Sequence, residues 1–439
     1  MQNKYIFYII ASNILWSFIP VIVSGLFNEV SIIMIIFLRF FVSGIILFFL
    51  ALLFLWINNK YTPNKPISLK QLLKFTLSKN EDFFNLRNIL YFTIMGFFGI
   101  ILQIIFYFLA LKITTISITM IGFLLSIIII AFYEHGAKAE KLDVYKSLYI
   151  IMLIFSIIII IYVKTQESTS TNIKISSIGF LFVILFTSCL TFFHLIVVKD
   201  SYTKDEIKVI NKNENYKIPR LLIKISLTFL IGIALMVPLI LFLYIIPIKT
   251  ELTPEINQFF TQILNINIYF RWEILFLIIF STITPYLLLF IAYVKWNPYN
   301  LTYRQWNSIL TTIEPIGGIF FGVILGIEPF PLLFLAVVLF LLTISIFLRY
   351  VHESTNKINA CLLLKRNRGT MKDLSIKLLK YNDIYCVESL IGTYDLILNV
   401  KSNSIKDFYY LVNNKLRKLK EIKNIKILFI NKINKISKH

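Results

Sequence analysis

Two side chains of opposite charge interrupt otherwise apolar runs and are the first candidates for chemistry. Glu314 is followed by Pro315 and by Gly317-Gly318, in a stretch from about residue 304 to 326 that holds no other acid. Arg39 lies about two turns into a second stretch, from about 32 to 57. At mid-bilayer an ionisable group costs at least a few kcal/mol, so each needs a reason to be there. A buried carboxylate is suited to pairing with a substrate ammonium or carrying a proton, and a guanidinium to gripping a carboxylate bidentately. The structural alternatives are a hydrogen-bonded Glu that pins two helices and an Arg whose head snorkels to the headgroups. Asn13, Trp16, Gln103, Tyr107, Thr191, Tyr286 and Asn307 add uncharged hydrogen-bonding groups within the same kind of run. Taken singly, each has helix packing as its plain alternative. Trp16 falls mid-run, where an aromatic face packs on a side chain or a cation.

Catalytic constellations are missing from this list. His135, His194, His352 and His439 have no metal-ligand spacing, Cys189, Cys361 and Cys386 form no CxxC pair, and no GxxxxGK[ST] loop occurs. The sequence therefore predicts no metal, no cofactor and no enzyme.

The elements that position these residues follow from composition. Of 439 residues, 58% are apolar and 15% charged, and mean hydropathy is +0.78. A soluble domain is roughly 45–50% apolar and about 25% charged, so a soluble main body is excluded. Ten runs are long enough to span: about 4–26, 32–57, 88–111, 113–133, 145–163, 175–198, 221–247, 272–294, 304–326 and 330–350. The first reads as a retained span rather than a cleaved signal peptide, because it lacks a small-x-small site and leads directly into another span. With both termini cytoplasmic, the inner side receives 19 Lys and Arg before the tail, among them Lys60 to Arg87 and Lys199 to Lys224. The outer side receives five: Lys112, Lys164, Lys174, Lys249 and Arg271. The net charge of +21 is thus a topology signal beside anionic lipid before it is a nucleic-acid patch. Residues 58–87, 199–220 and 248–271 read as the three long loops.

Five spans per half is an odd number, which inverts the second half relative to the first, as in many secondary transporters. Asn13-Ile14-Leu15-Trp16, Phe37-Leu38-Arg39-Phe40 and Ala110-Leu111-Lys112, in that order, resemble the drug/metabolite transporter superfamily with its EamA-type repeats. Glu314-Pro315 followed by Gly326-Ile327-Glu328 is similar to the end of that family's second repeat. Ser126-Ile127 stands where the family usually has a proline, and Ala292-Tyr293-Val294-Lys295 is the nearest second-repeat counterpart of Ala-Leu-Lys. The resemblance covers about residues 4–350. It implies transport, often export, of amino acids or other small metabolites by alternating access, with no ATP hydrolysis. It also implies a central cavity that Asn13, Trp16, Arg39, Gln103, Tyr107, Thr191, Tyr286, Asn307 and Glu314 would line.

Beyond about residue 356 the apolar residues begin to alternate with polar ones. Strands are expected at 358–364, 384–390, 394–400 and 422–430, with Gly392-Thr393 as a short hairpin turn. Helices are expected at 372–380, with Leu374, Leu378 and Leu379 on one face, and at 404–419, where Ser404 and Asp407 cap and Phe408, Leu411, Val412 and Leu416 face inward. The order βαββαβ suggests a ferredoxin-like sandwich. The run from Val387 through Gly392, Tyr394 and Asp395 to Leu398 resembles the effector-binding domain of the leucine-responsive/AsnC transcription regulators. That resemblance implies dimerisation and amino-acid binding near Gly392, Tyr394 and Asp395, without the DNA-binding partner domain.

The sequence thus reads as an all-α polytopic membrane bundle of ten transmembrane helices, two inverted five-helix repeats (1–163 and 175–350), followed by a small α+β domain (357–439). The functional expectation is a secondary transporter, an exporter of amino acids or similar small metabolites in the cell membrane, regulated by a cytoplasmic sensing tail. Its partners are a small-molecule substrate, the lipid bilayer and a second copy bound through the tail, with no nucleic acid. The competing class is a membrane-anchored receptor or assembly protein without transport.

Overall fold

The computed structural model describes residues 2–61, 66–77, 88–138, 143–171, 177–197, 206, 209–210, 216–246, 251–296, 301–355, 358–367, 371–379, 381, 383–402 and 405–429. Lys65, Lys79, Arg87, Lys141, Lys174, Lys199, Lys204, Lys208, Lys212 and Lys249, counted above toward topology, lie outside the described residues, as do Ser404 and the side chains of Lys138 and Asp407.

Among the described residues ten helices are long and apolar enough to cross a membrane. Spans 1 to 5 are Lys4–Leu26, Ile32–Tyr61, Leu90–Ile113, Ile116–His135 and Val144–Glu167. Spans 6 to 10 are Ser177–Leu195, Lys217–Ile245, Trp272–Lys295, Tyr303–Ile324 and Leu332–Ser354. Each matches a run expected from the sequence to within four residues at either end. The stretch 248–271 is not the plain loop expected. It carries the helix Thr253–Gln262 and the single turn Ile266–Tyr269, where Pro254 starts a helix whose Glu255, Ile256 and Phe259 are buried.

Four spans depart from regular geometry. Span 1 is interrupted at Phe18, and span 9 at the turn Thr311-Thr312. Pro315 therefore does not sit inside a continuous helix. It lies in the first turn of Ile313–Ile324, where the missing N–H has no helical acceptor to lose. Spans 3 and 8 carry π-helical segments, Phe97–Leu102 and Ile279–Ile283, each beginning seven residues beyond Leu90 and Trp272 respectively. Such segments concentrate at functional sites because they release carbonyls from the regular ladder.

Packing follows a pairwise pattern. Span 1 packs on spans 8 and 9, and span 6 on spans 3 and 4. Span 2 packs on span 8, span 7 on span 3, and spans 2 and 7 on each other. Adding five to, or taking it from, each span number interchanges the first six of these pairs and returns the pair of spans 2 and 7 to itself. Spans 3 and 7 touch backbone to backbone. A Cβ on Gly96 would stand 2.5 Å from the Thr228 carbonyl oxygen, and one on Gly232 would stand 2.6 Å from the Gly96 carbonyl oxygen. Only hydrogen fits at that crossing.

The chain divides into two compact units, residues 1–130 with 149–347, and residues 131–148 with 348–439. In the second unit Asp143 joins span 5 to span 10: its Oδ1 lies 2.8 Å from His352 Nδ1 and accepts the Lys146 N–H at 2.7 Å. The tail follows as β1 (Ile358–Arg366), a helix Met371–Leu378, β2 (Ile384–Ser389), β3 (Leu396–Ser402), a helix Ile405–Tyr410 that runs into a π-helical segment Leu411–Leu416, and β4 (Ile422–Phe429). The strands form one antiparallel sheet in the order β2-β3-β1-β4. Its core joins Leu362, Leu364, Leu398 and Val400 to Leu374, Leu378, Phe408, Leu411, Val412 and Leu416. Leu379, grouped with Leu374 and Leu378 by its spacing, is exposed and lies outside that core.

The β2–β3 connection is longer than the two-residue turn expected. Asp395 donates its N–H to the Leu364 carbonyl (2.9 Å) and accepts the Arg366 N–H on Oδ2 (2.6 Å), so Asp395 is pinned to β1 before the strand begins. Gly392 supplies a φ of +148°, a region that glycine alone enters freely.

Two consequences are measurable. Gly96→Ala, which overpacks the span 3–7 crossing, is expected to cost about 1–3 kcal/mol; an unchanged melting temperature in detergent would contradict the contact. Asp395→Ala leaves the Arg366 N–H without its acceptor, at about 1–3 kcal/mol, and that amide should lose hydrogen-exchange protection while Leu362 keeps its own.

Candidate functional site

The breaks in spans 1 and 9 and the irregular part of span 8 lie in one region of the first unit. Ser17, the last residue before the break in span 1, donates its Oγ to the Asn13 carbonyl (2.8 Å) and approaches the Glu314 carbonyl at 3.1 Å. Phe18 stacks on Phe321 with ring centroids 4.2 Å apart. Ser12 Oγ reaches the Pro285 carbonyl of span 8 at 3.2 Å. The interruptions in spans 1 and 9 thus face each other, and Glu314 sits in the first turn of the half-helix that starts there. A helix start carries partial positive charge, a favourable place for a carboxylate.

Arg39 is 4% exposed and held by the π-helical segment of span 8. Its Nε donates to Thr282 Oγ1 at 2.8 Å, and one Nη donates to the Ser281 carbonyl at 3.1 Å. The other Nη is buried with no hydrogen-bond partner. Asn13 repeats the pattern: its Nδ2 donates to the Ile9 carbonyl (2.8 Å), while its Oδ1 is buried and unpartnered. The Glu314 carboxyl, half-buried, has no hydrogen bond or ion pair among the described residues. The charges of Arg39 and Glu314 act on each other and on the phenols of Tyr107 and Tyr286 through the low-dielectric interior.

Aromatic rings enclose these groups. Trp16 meets Tyr286 edge to face at 5.9 Å, and Tyr286 meets Phe229 at 5.6 Å. Tyr107, 3% exposed, packs against Phe186 (4.9 Å) and Phe123 (5.7 Å). Of the nine residues expected to line a cavity, Asn13, Trp16, Arg39, Tyr107, Tyr286 and Glu314 are linked by these contacts and fields. Gln103 is half-buried at the end of the π-helical segment of span 3, one turn before Tyr107. Thr191 is buried with its Oγ1 unpartnered, and Asn307 is half-buried, its carbonyl taking the Thr311 N–H and hydroxyl. No bond joins these last three to the charged pair.

Ser281 and Thr282, which hold the Arg39 guanidinium, and Ser12 and Ser17, which tie span 1 to spans 8 and 9, were not singled out by sequence. Their one signal is a small polar side chain inside a span, which is common in membrane helices for packing alone. In the tail, Gly392 is exposed and Tyr394 half-buried, and Asp395 is engaged with β1 as described. The Asp395 carboxylate already serves the fold.

The arrangement is amphoteric: one guanidinium with a spare donor, one carboxyl with no donor facing it, and rings contributed by spans 1, 3, 7 and 8. It contains no nucleophile–base pair, and no cluster of metal-ligating side chains occurs among the described residues. No curated protein matches the chain. Residues 3–162 match the EamA-like transporter family, a non-enzymatic family of membrane transporters of small molecules, and the match spans the whole of spans 1 to 4 and most of span 5.

Proposed function

We propose that this protein moves amino acids, or small metabolites of like charge, across the cell membrane by alternating access to the pocket between Arg39 and Glu314. One observation carries the reading: a buried guanidinium nitrogen without an acceptor and a carboxyl without a donor share one apolar interior. Unpaired buried charges are expensive, and a zwitterion satisfies both at once, its carboxylate on Arg39 and its ammonium on Glu314. The carbonyl side of Asn13 offers the ammonium a further acceptor. The rings of Trp16 and Tyr286 then border the substrate's side chain.

Alternating access follows from the halves 1–163 and 175–350 acting as inverted repeats. The exchange of span contacts on adding five, and the paired π-helical segments of spans 3 and 8, both support that relation. Discontinuous helices at mid-membrane are where such transporters build their sites. Lys and Arg are concentrated on the side assigned to the termini, which supports cytoplasmic ends. Efflux is the direction we assign, on the strength of a cytoplasmic tail that reads the pool to be discharged.

The tail is read as a ferredoxin-like amino-acid-sensing and dimerisation domain. Its βαββαβ order and its β2-β3-β1-β4 sheet support that assignment. Span 10 ends at Thr355 and β1 starts at Ile358, so a ligand that reorders the tail acts on span 10 through very few residues. A bias of this kind requires different ligand affinity in the two transport states, typically about 1–3 kcal/mol of coupling.

Flux into proteoliposomes tests the reading. Across a panel of radiolabelled amino acids at least one substrate should cross, and Glu314→Gln and Arg39→Met should each reduce its rate at least 100-fold with the fold intact. Normal flux in either variant would overturn the pocket. Removing residues 357–439 should leave flux but abolish its response to amino acid on the tail side.

A further inference from the structure

Lys112 and Glu328 close two of the motifs noted in the sequence, yet neither belongs to the central pocket. Both end in ion pairs whose carboxylates are buried, Lys112 itself being exposed, at one end of the bundle, where spans 1 and 2, 3 and 4, 7 and 8, and 9 and 10 connect. Glu255, 2% exposed, stands on the helix Thr253–Gln262 between spans 7 and 8. Its Oε1 lies 2.5 Å from Lys112 Nζ, and its Oε2 accepts the N–H of Ile32, the first residue of span 2, at 2.6 Å. Glu328, 4% exposed, stands after span 9. Its Oε1 lies 2.8 Å from Lys164 Nζ, and its Oε2 accepts the Ser117 N–H in the first turn of span 4 at 2.9 Å.

The two bridges share a plan. The carboxylate comes from the second five spans, and its lysine and its helix start both come from the first five. Each carboxylate thereby meets a full positive charge and the positive end of a helix. The helix Thr253–Gln262 is tied down further: Gln262 accepts the Ser31 N–H at 2.9 Å, donates to the Glu29 carbonyl at 2.6 Å, and Arg271 pairs with the Glu29 carboxylate. Those bonds to Glu29 and then Glu273 hold the Arg271 guanidinium above its ordinary value, so it stays charged.

We propose that the Glu255 and Glu328 bridges are paired latches of a gate at this end of the bundle, with the helix Thr253–Gln262 as its lid. The proposal rests on the alternating-access reading. A buried ion pair is stable when dry and complete, or when separated and hydrated, and is costly in between. It therefore makes a two-state element rather than a graded spring. A rotation of one half against the other draws both carboxylates off their partners together, admitting water to both. Closure expels that water and restores both helix caps in one step.

Hydrogen exchange on the unaltered full-length protein tests this without any substrate. The Ile32 and Ser117 amides should open together, at equal rates and well before global unfolding. Protection of both at the level of the most stable core amides would overturn the gate and leave the bridges as permanent staples. A second measurement uses Trp16→Cys, with the native cysteines replaced by alanine, in sealed vesicles. Membrane-impermeant thiol reagent applied on the latch side should label it at least tenfold faster when Glu255→Gln and Glu328→Gln are combined. Unchanged labelling from that side would also overturn the gate. Neither readout depends on flux, so a protein that moves no amino acid still gives an answer here.

Discussion

Holding one guanidinium inside a lipid-embedded bundle constrains everything around it. Arg39 has lost water on all sides, and the cost of that loss, several kcal/mol per ion, has to be met by fixed dipoles and a counter-charge. Span 8 meets it by abandoning α-helical geometry over Ile279–Ile283, which turns the Ser281 carbonyl and the Thr282 hydroxyl toward the arginine. Spans 1 and 9 meet it by breaking near the same depth, so that Glu314 stands at a helix start within the field of Arg39. One guanidinium nitrogen and the Glu314 carboxyl are left over, and these are the groups on which the proposed substrate contacts rest. Irregular backbone and unpaired charge are two sides of the same arrangement.

Much of this is legible in the sequence because a bilayer imposes simple rules. Ten runs of about 20 apolar residues give ten helices, since a spanning backbone has no other way to satisfy its polar groups. Glu314 and Arg39 stand out because charge is rare in such runs. The sequence is silent on what holds them: Thr282, Ser281 and Ser17 look like any small polar residue that eases helix packing. Pro315 marks a disturbance in span 9 but not its place, because a proline in the first turn and a proline in mid-helix read alike in one dimension. The helix Thr253–Gln262 is hidden for a different reason. Its apolar face covers other helices rather than lipid, so it is too short and too polar to stand out from a loop.

The tail illustrates the complementary case. Alternation gave the strands and the faces of Phe408, Leu411, Val412 and Leu416, because a two-layer domain writes its core at periods of two and about 3.6. Tyr394 and Asp395 were expected to begin a strand, yet the strand starts at Leu396, and Asp395 is pinned to β1 through its bonds to Leu364 and Arg366. A connection fixed by side-chain-to-backbone bonds across the sheet leaves no periodic trace. The bundle and the tail are thus legible to the extent that burial is periodic, and opaque where single polar contacts decide.

The central claim is that Arg39 and Glu314 together hold a zwitterion. Calorimetric titration of the full-length protein tests it most directly, using a transported amino acid, its carboxamide and its N-acetyl derivative. The amino acid should bind, and each derivative, lacking one of the two charges, should bind at least 100-fold more weakly. The carboxamide should lose nothing further in Arg39→Met, nor the N-acetyl compound in Glu314→Gln. Equal affinity for all three compounds in the unaltered protein would contradict the account.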